Sequence, residues 1–220
     1  MSDPPIATET KPASHREQAL ADARDFIDEL RTIQKHDRGR MSALKRNAGE
    51  VLLGRGTAWF YGLLKTPIQK RNREVYYLIA TLFDFNRRVS NQSDFGQALL
   101  QLCKNMKREP KDFRRFHILL DAELDRVHDP DDPESPWADG GGELAFRLRQ
   151  MVKLMASKEV GINWPDLLVD LCSWSHPNRR VQKKWARSFF GDAMPCARRS
   201  WRSFSRDSLI FSCSWSFSVK

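Results

Sequence analysis

A short stretch of the chain gathers residue types that could do chemistry together: Asp121, Glu123, Asp125, His128, Asp129, Asp131 and Asp132. Carboxylates grouped in this way can hold two divalent ions across an in-line displacement, which is nuclease chemistry. Such sites are built on rigid elements. Here, most of the acids fall in a proline- and glycine-rich run from His128 to Gly142. The favoured reading is therefore a solvated acidic connector, with no catalytic residue, no metal and no cofactor. Other enzymatic signatures are missing from the sequence: no phosphate-binding glycine loop, no H-E-x-x-H pair and no nucleophile elbow. Gly54-Arg55-Gly56 and Gly140-Gly141-Gly142 lack the strand-to-helix setting of a phosphate cradle. His117 falls on an apolar stripe and reads as a packed core histidine, and His176 precedes a proline. Cys103, Cys172, Cys196 and Cys213 show no C-x-x-C spacing, which argues against structural zinc and against a disulfide framework.

The basic side chains are better organised than the acidic ones. The 220 residues carry a net charge of +9, and its distribution is uneven. Residues 38–120 hold 17 basic and 6 acidic side chains, residues 121–143 hold 1 and 9, and residues 144–191 hold 9 and 3. Arg180, Lys183 or Lys184, and Arg187 recur at helical spacing; so do Arg149 and Lys153. Lys45-Arg46 and Arg114-Arg115 are adjacent pairs. Like charges at such spacing cost helix stability, so an acidic partner that offsets the repulsion is expected. No aromatic-interleaved stacking platform and no recognition-helix motif accompany these residues. The expected mode is sequence-independent contact with phosphates.

The elements that must position them are helices. Ser14-x-x-Glu17 is a capping box, followed by an apolar face at Leu20, Ala23, Phe26 or Ile27, Leu30 and Ile33. A second helix is predicted over Ser42 to Leu53, and a short aromatic one from Trp59 to Leu64 before Pro67. Asn72 and Asp94 are placed to cap two more. A further helix from Lys111 carries Phe113, Phe116, His117, Leu120, Leu124 and Val127. Beyond the connector, three apolar patterns follow, marked by Leu144 to Met155, Leu167 to Trp174, and Val181, Trp185 and Phe189. The expected fold is all-α, with two small helical bundles joined by an acidic Pro/Gly-rich linker. Its divisions are a disordered N-terminus at 1–14, a bundle at 15–127, the linker at 128–142, a bundle at 143–191 and an atypical Ser-rich tail at 192–220. The tail reads as disordered and foreign to the body, as a frameshifted or read-through end would. No apolar run is long enough to span a membrane, and the N-terminus lacks the pattern of a signal peptide, so a cytoplasmic location is expected.

Several blocks, in order, resemble a known family. They are Ala43-Leu-Lys-Arg46, Arg55-Gly-Thr-Ala-Trp-Phe-Tyr-Gly-Leu-Leu64, Tyr76-Tyr-Leu-Ile-Ala-Thr-Leu-Phe83 and Phe113-Arg-Arg-Phe-His-Ile-Leu-Leu-Asp121. Gly142-Glu-Leu-Ala-Phe-Arg-Leu-Arg-Gln-Met-Val-Lys153, Ile162-Asn-Trp-Pro-Asp-Leu-Leu168 and Val181-Gln-Lys-Lys-Trp-Ala-Arg-Ser-Phe-Phe190 complete the set. Together they resemble the small subunit (CasB) of the type I-E CRISPR Cascade complex, over residues 16–191. The resemblance implies a bacterial, helical, non-catalytic subunit acting in antiviral defence. Its implied partners are guide RNA, target DNA, other Cascade subunits and a second copy of itself. The implied role is to support the guide–target duplex and the displaced strand by backbone contacts. It also points to Lys45, Arg46, Arg114, Arg115, Lys153, Arg179 and Arg180 as phosphate contacts, with Arg149 and Lys183 added from spacing. A helical adaptor that meets acidic protein surfaces is the alternative.

Overall fold

The computed structural model describes residues 14–49, 56–65, 72–90, 92, 94–124 and 142–191. Eight α-helices are seen among them: α1 His15–His36, α2 Arg38–Arg46, α3 Arg73–Phe83, α4 Phe95–Asn105, α5 Arg114–Asp121, α6 Gly142–Ser157, α7 Trp164–Cys172 and α8 Arg180–Phe190. Ala58–Leu63 and Pro110–Asp112 form 3-10 turns. The only β-type pairing among the described residues is an isolated parallel bridge between Val89 and Ile162. The fold is all-α. The acidic linker beyond Leu124, the first 13 residues and the tail from 192 lie outside the described residues.

Side-chain caps start four of the eight described helices. Ser14 and Glu17 form the expected capping box, with Ser14 N donating to Glu17 Oε2 at 2.6 Å. Asp37 accepts from Arg40 N at 2.9 Å. This cap starts α2 four residues before the predicted Ser42, and the helix ends at Arg46, short of the predicted Leu53. Gly49, at φ 90, turns the chain in a left-handed conformation that favours glycine. Asp94 caps α4 as predicted, but Asn72 makes no side-chain cap bond at α3. The predicted helix from Lys111 to Val127 is shorter, because Pro110 opens a 3-10 turn and Ala122 is extended. Its buried face is Phe113, Phe116 and Leu119. Position 117 lies a further 100° around the helix, so His117 is exposed, not a core residue. Its ring lies 5.5 Å from that of Phe190.

α3 is buried on every side from Val75 to Phe83, as a helix apolar all round must be. It packs against α2, α6 and α7; α1 lies on α2 and α7, α4 on α8, and α5 on α6. Buried side chains from both sides of the 128–142 segment belong to one contiguous cluster. The turn after α3 ties these parts together. Asn86, nearly fully buried, donates to Val160 O at 2.8 Å, and its own carbonyl accepts from Trp164 Nε1 at 3.1 Å. Trp185 Nε1 and Lys184 Nζ both donate to the buried Asp170, at 2.7 and 2.8 Å, fixing α8 on α7. Burial pushes the Cys103 thiol up to about 11 and the Cys172 thiol up to about 12, so both stay protonated fillers.

α4 and α8 meet at Gly96. A Cβ there would stand 2.3 Å from Trp185 O and 2.9 Å from Trp185 Cα, both backbone atoms that cannot swing aside. Gly96→Ala should therefore cost about 1–3 kcal/mol by overpacking, despite the better helix propensity of alanine. The check is the urea midpoint of the full chain. A midpoint equal to or above that of the wild type would contradict the close approach.

Candidate nucleic-acid interface

One face of α6, opposite its buried stripe, gathers two of the sequence-predicted residues, Arg149 and Lys153. Phe146, Arg149, Gln150 and Lys153 stand at positions i, i+3, i+4 and i+7, which is one face of a helix. The opposite face, Leu144, Ala145, Leu148, Met151, Val152 and Met155, is buried. From Phe146 to Lys153 this strip runs about 10 Å along the axis. The stem of Arg149 lies against Gly49, where a Cβ would stand 3.1 Å from Arg149 Cδ.

At the Lys153 end, three segments distant in sequence converge on one aromatic ring. Lys153 Nζ lies 4.8 Å from the centre of the Phe85 ring, and Lys45 Nζ lies 5.1 Å from the same centre. A cation over a ring is attracted by its quadrupole, by roughly 0.5–1 kcal/mol at an exposed site. Asp84, beside Phe85, supplies the compensating charge. Its carboxylate, with its side chain only 7% exposed, accepts from Lys45 Nζ at 3.0 Å. It also accepts from Arg87 Nη2 at 2.7 Å and from Gln34 Nε2 at 2.8 Å. Burial alone would raise the pKa of this group, but the Gln34, Lys45 and Arg87 hydrogen bonds outweigh it and hold the carboxyl below its ordinary range.

The remaining sequence-predicted residues are spread over other surfaces. Arg46 is exposed in the last turn of α2. Arg114 and Arg115 are exposed in the first turn of α5, and Arg115 borders a hollow shared with Phe146 and Arg147 of α6. Arg180 and Lys183 are exposed on α8, whereas Lys184 turns inward to Asp170. Arg179, in a left-handed conformation at φ 48, donates to the Leu120 carbonyl and to Asp121 Oδ1 at 2.9 Å, and so closes the end of α5. Lys45 and Arg179 are thus tied to carboxylates; the other seven make no ion pair within the described residues. Asp84, Phe85, Arg87 and Phe146 were not singled out from the sequence. The i,i+3 spacing of Asp84 and Arg87 was visible, but nothing local tied it to Lys45 or Lys153. Of the acidic cluster, Asp121 is held by Arg179, Glu123 is exposed, and the members from Asp125 onward lie outside the described residues. Among the described residues, no helix is long and apolar enough to cross a membrane.

Together these features define a class: a helical protein, without a strand among the described residues, whose core organises cations on exposed helix faces. Comparison with known proteins narrows the class. The chain belongs to the CRISPR-associated protein Cse2 family, whose profile matches residues 40–190. A Cse2 protein from Thermus thermophilus is 32% identical over 130 residues, which is 59% of this chain and 63% of that relative. The match thus spans a little under two thirds of the relative's length. The crystal structure of M. ruber CasB superposes with a TM-score of 0.59 at 26% identity, covering 78% of this chain and 94% of the other. A chain of a CRISPR RNA-guided surveillance complex has the same fold, with a TM-score of 0.59 at 17% identity, covering 79% and 94%.

Asp84 sets a pH test. A carboxylate with a lowered folded-state pKa contributes stability that is complete above the unfolded value, near 3.8, and is lost as pH falls through the folded one. Asp84→Asn should therefore lower the urea midpoint at pH 7. The gap from wild type should close between about pH 4 and pH 2. A gap that stays constant over that range would mean that the Asp84 charge does not hold Lys45 and Arg87.

Proposed function

We propose that this chain is the non-catalytic small subunit of a Cascade-type, RNA-guided DNA surveillance complex, working in the cytoplasm in antiviral defence. Its partners in this reading are guide RNA, target DNA, the other Cascade subunits and a second copy of itself. The observation that carries the proposal is the α6 strip. Arg149 and Lys153 share one face of α6, without a carboxylate partner among the described residues, and Lys153 meets Lys45 over the Phe85 ring, beside the Asp84–Arg87 pair. Family membership supports it, as does the surveillance-complex chain of the same fold.

The mechanism is electrostatic. Exchange of a DNA duplex for a guide–target duplex is nearly balanced, so modest backbone contacts tip it. Cations that hold the guide–target duplex and the displaced strand lower the free energy of the open state and slow reannealing. No base need be read, because the guide supplies sequence. Arg114, Arg115, Arg180 and Lys183 extend the same chemistry to other helices. Arg179 differs: its bonds to Leu120 and Asp121 leave less of it for phosphate, and it serves as much to join α5 to α8.

Each phosphate neutralised releases condensed counterions, about 0.7 of a log–log unit per contact on a single strand. In the assembled complex, the Arg149→Ala/Lys153→Ala double variant should open target duplexes less readily. The salt slope should be shallower by roughly 1.4 units, whichever target sequence is used. Folding stability should fall by no more than about 1 kcal/mol, from the lost Phe85 contact. An unchanged slope and unchanged opening would sink the phosphate reading. They would favour an adaptor that meets acidic protein surfaces.

A further inference from the structure

Phe146 is half exposed, at 51%, in the second turn of α6. It is one of three large hydrophobic side chains in that condition among the described residues, with Tyr61 and Val89. It borders a hollow of about 250 Å³ formed with Arg115 and Ile118 of α5 and with Arg147, Gln150 and Met151 of α6. We propose that this hollow receives a single unpaired nucleobase, stacked on Phe146, from a strand whose phosphates lie along Arg115, Arg149 and Lys153. The proposal rests on the phosphate reading above and adds to it a base contact.

The occupant follows from the chemistry of the walls. Ile118, Met151 and the Phe146 ring offer an apolar surface, and Arg115 and Arg147 line the same hollow. Arg147 Cζ lies 5.6 Å from the centre of the Phe146 ring. Its charge is partly met by Glu143, at 3.1 Å, while Arg115 makes no ion pair within the described residues. A flat aromatic group tethered to an anionic backbone matches both parts of this wall. The volume is below the ~300 Å³ at the small end of drug-sized pockets, which suits one ring system rather than a whole nucleotide. An amphipathic partner helix would need a continued apolar stripe. The next residues on the Phe146 face are Arg149, Gln150 and Lys153, so no such stripe exists there. Stacking of this kind tolerates any base, since every base has a π-face, and is compatible with binding that reads no sequence. The amide of Gln150 beside the ring could bond a base edge without selecting one.

The test compares two single-stranded DNA oligonucleotides of equal length and phosphate count, one carrying bases and one abasic throughout. Full-chain protein is titrated with each at several salt concentrations. Wild-type protein should bind the base-bearing strand roughly tenfold more tightly, about 1.4 kcal/mol, within the range for one base on one aromatic. Phe146→Ala should erase that preference and leave the salt slope unchanged. Phe146→Trp should retain the preference, and circular dichroism should show all three proteins equally helical. Equal, salt-dependent binding of both oligonucleotides by wild type would overturn the base pocket and leave the phosphate reading standing. Absence of salt-dependent binding to either would overturn both. A base preference that survives in Phe146→Ala would place the stacking elsewhere and overturn the assignment. If the variant keeps the preference and instead fails to join the assembled complex, the ring is a protein contact, which also overturns it.

Discussion

Cations gathered on one face of a small helical protein repel one another, and a fold that presents them needs a fixed negative charge in the right place. Asp84 fills that need here. It sits at the end of α3, the helix around which the others pack, and is almost enclosed. Its carboxylate is held in ionised form by Gln34 from α1, Lys45 from α2 and its own neighbour Arg87. The residue after it, Phe85, offers its ring to both Lys45 and Lys153. One turn at the end of one helix thus sets the position of cations contributed by α2, α6 and the turn itself. The site depends on the core in a direct way. The burial of Val75 to Phe83 fixes where Asp84 and Phe85 emerge, and the Asn86 contacts to Val160 and Trp164 fix where the α6–α7 connection runs beside them.

This arrangement also explains why much of the fold was legible in the sequence and part of the site was not. Helix identity is a local property. The Ser14–Glu17 box, the Asp94 cap and the stripe of Val181, Trp185 and Phe189 each act within a turn or two, and each forms as read. Boundaries were harder, because they turn on single residues with competing roles. Asp37 caps α2 earlier than Ser42, and Ala122 ends α5 before Leu124 can extend the stripe. His117 went astray for the same reason: a stripe drawn along too long a helix put it on the wrong face. Lys183 and Lys184 were interchangeable until Asp170, fourteen residues before Lys184, drew one of them inward.

The α6 pair, Arg149 and Lys153, was readable because both residues lie on one helix, off its apolar face. Their meeting with Lys45 was not. It depends on a contact among positions 45, 85 and 153, which no periodicity encodes. Phe146 escaped notice for a related reason. Its place off the apolar stripe was visible, but a lone aromatic there points to nothing until α5 packs on α6 and brings Arg115 and Ile118 beside it. Arg179 shows the reverse error of emphasis, since its guanidinium is engaged with Leu120 and Asp121. Family membership makes these cations members of a known kind of subunit. Their individual roles follow from what each side chain touches.

The central claim is that the exposed face of α6, with Phe85 at its end, meets nucleic acid. Lysine acetylation followed by mass spectrometry tests it directly, with three samples: the isolated chain, the assembled complex and the complex loaded with target DNA. The account predicts that Lys153 and Lys45 become strongly protected on loading, while Lys107 in the exposed turn after α4 keeps its reactivity. Equal labelling of Lys153 in the isolated chain and the DNA-loaded complex would contradict it.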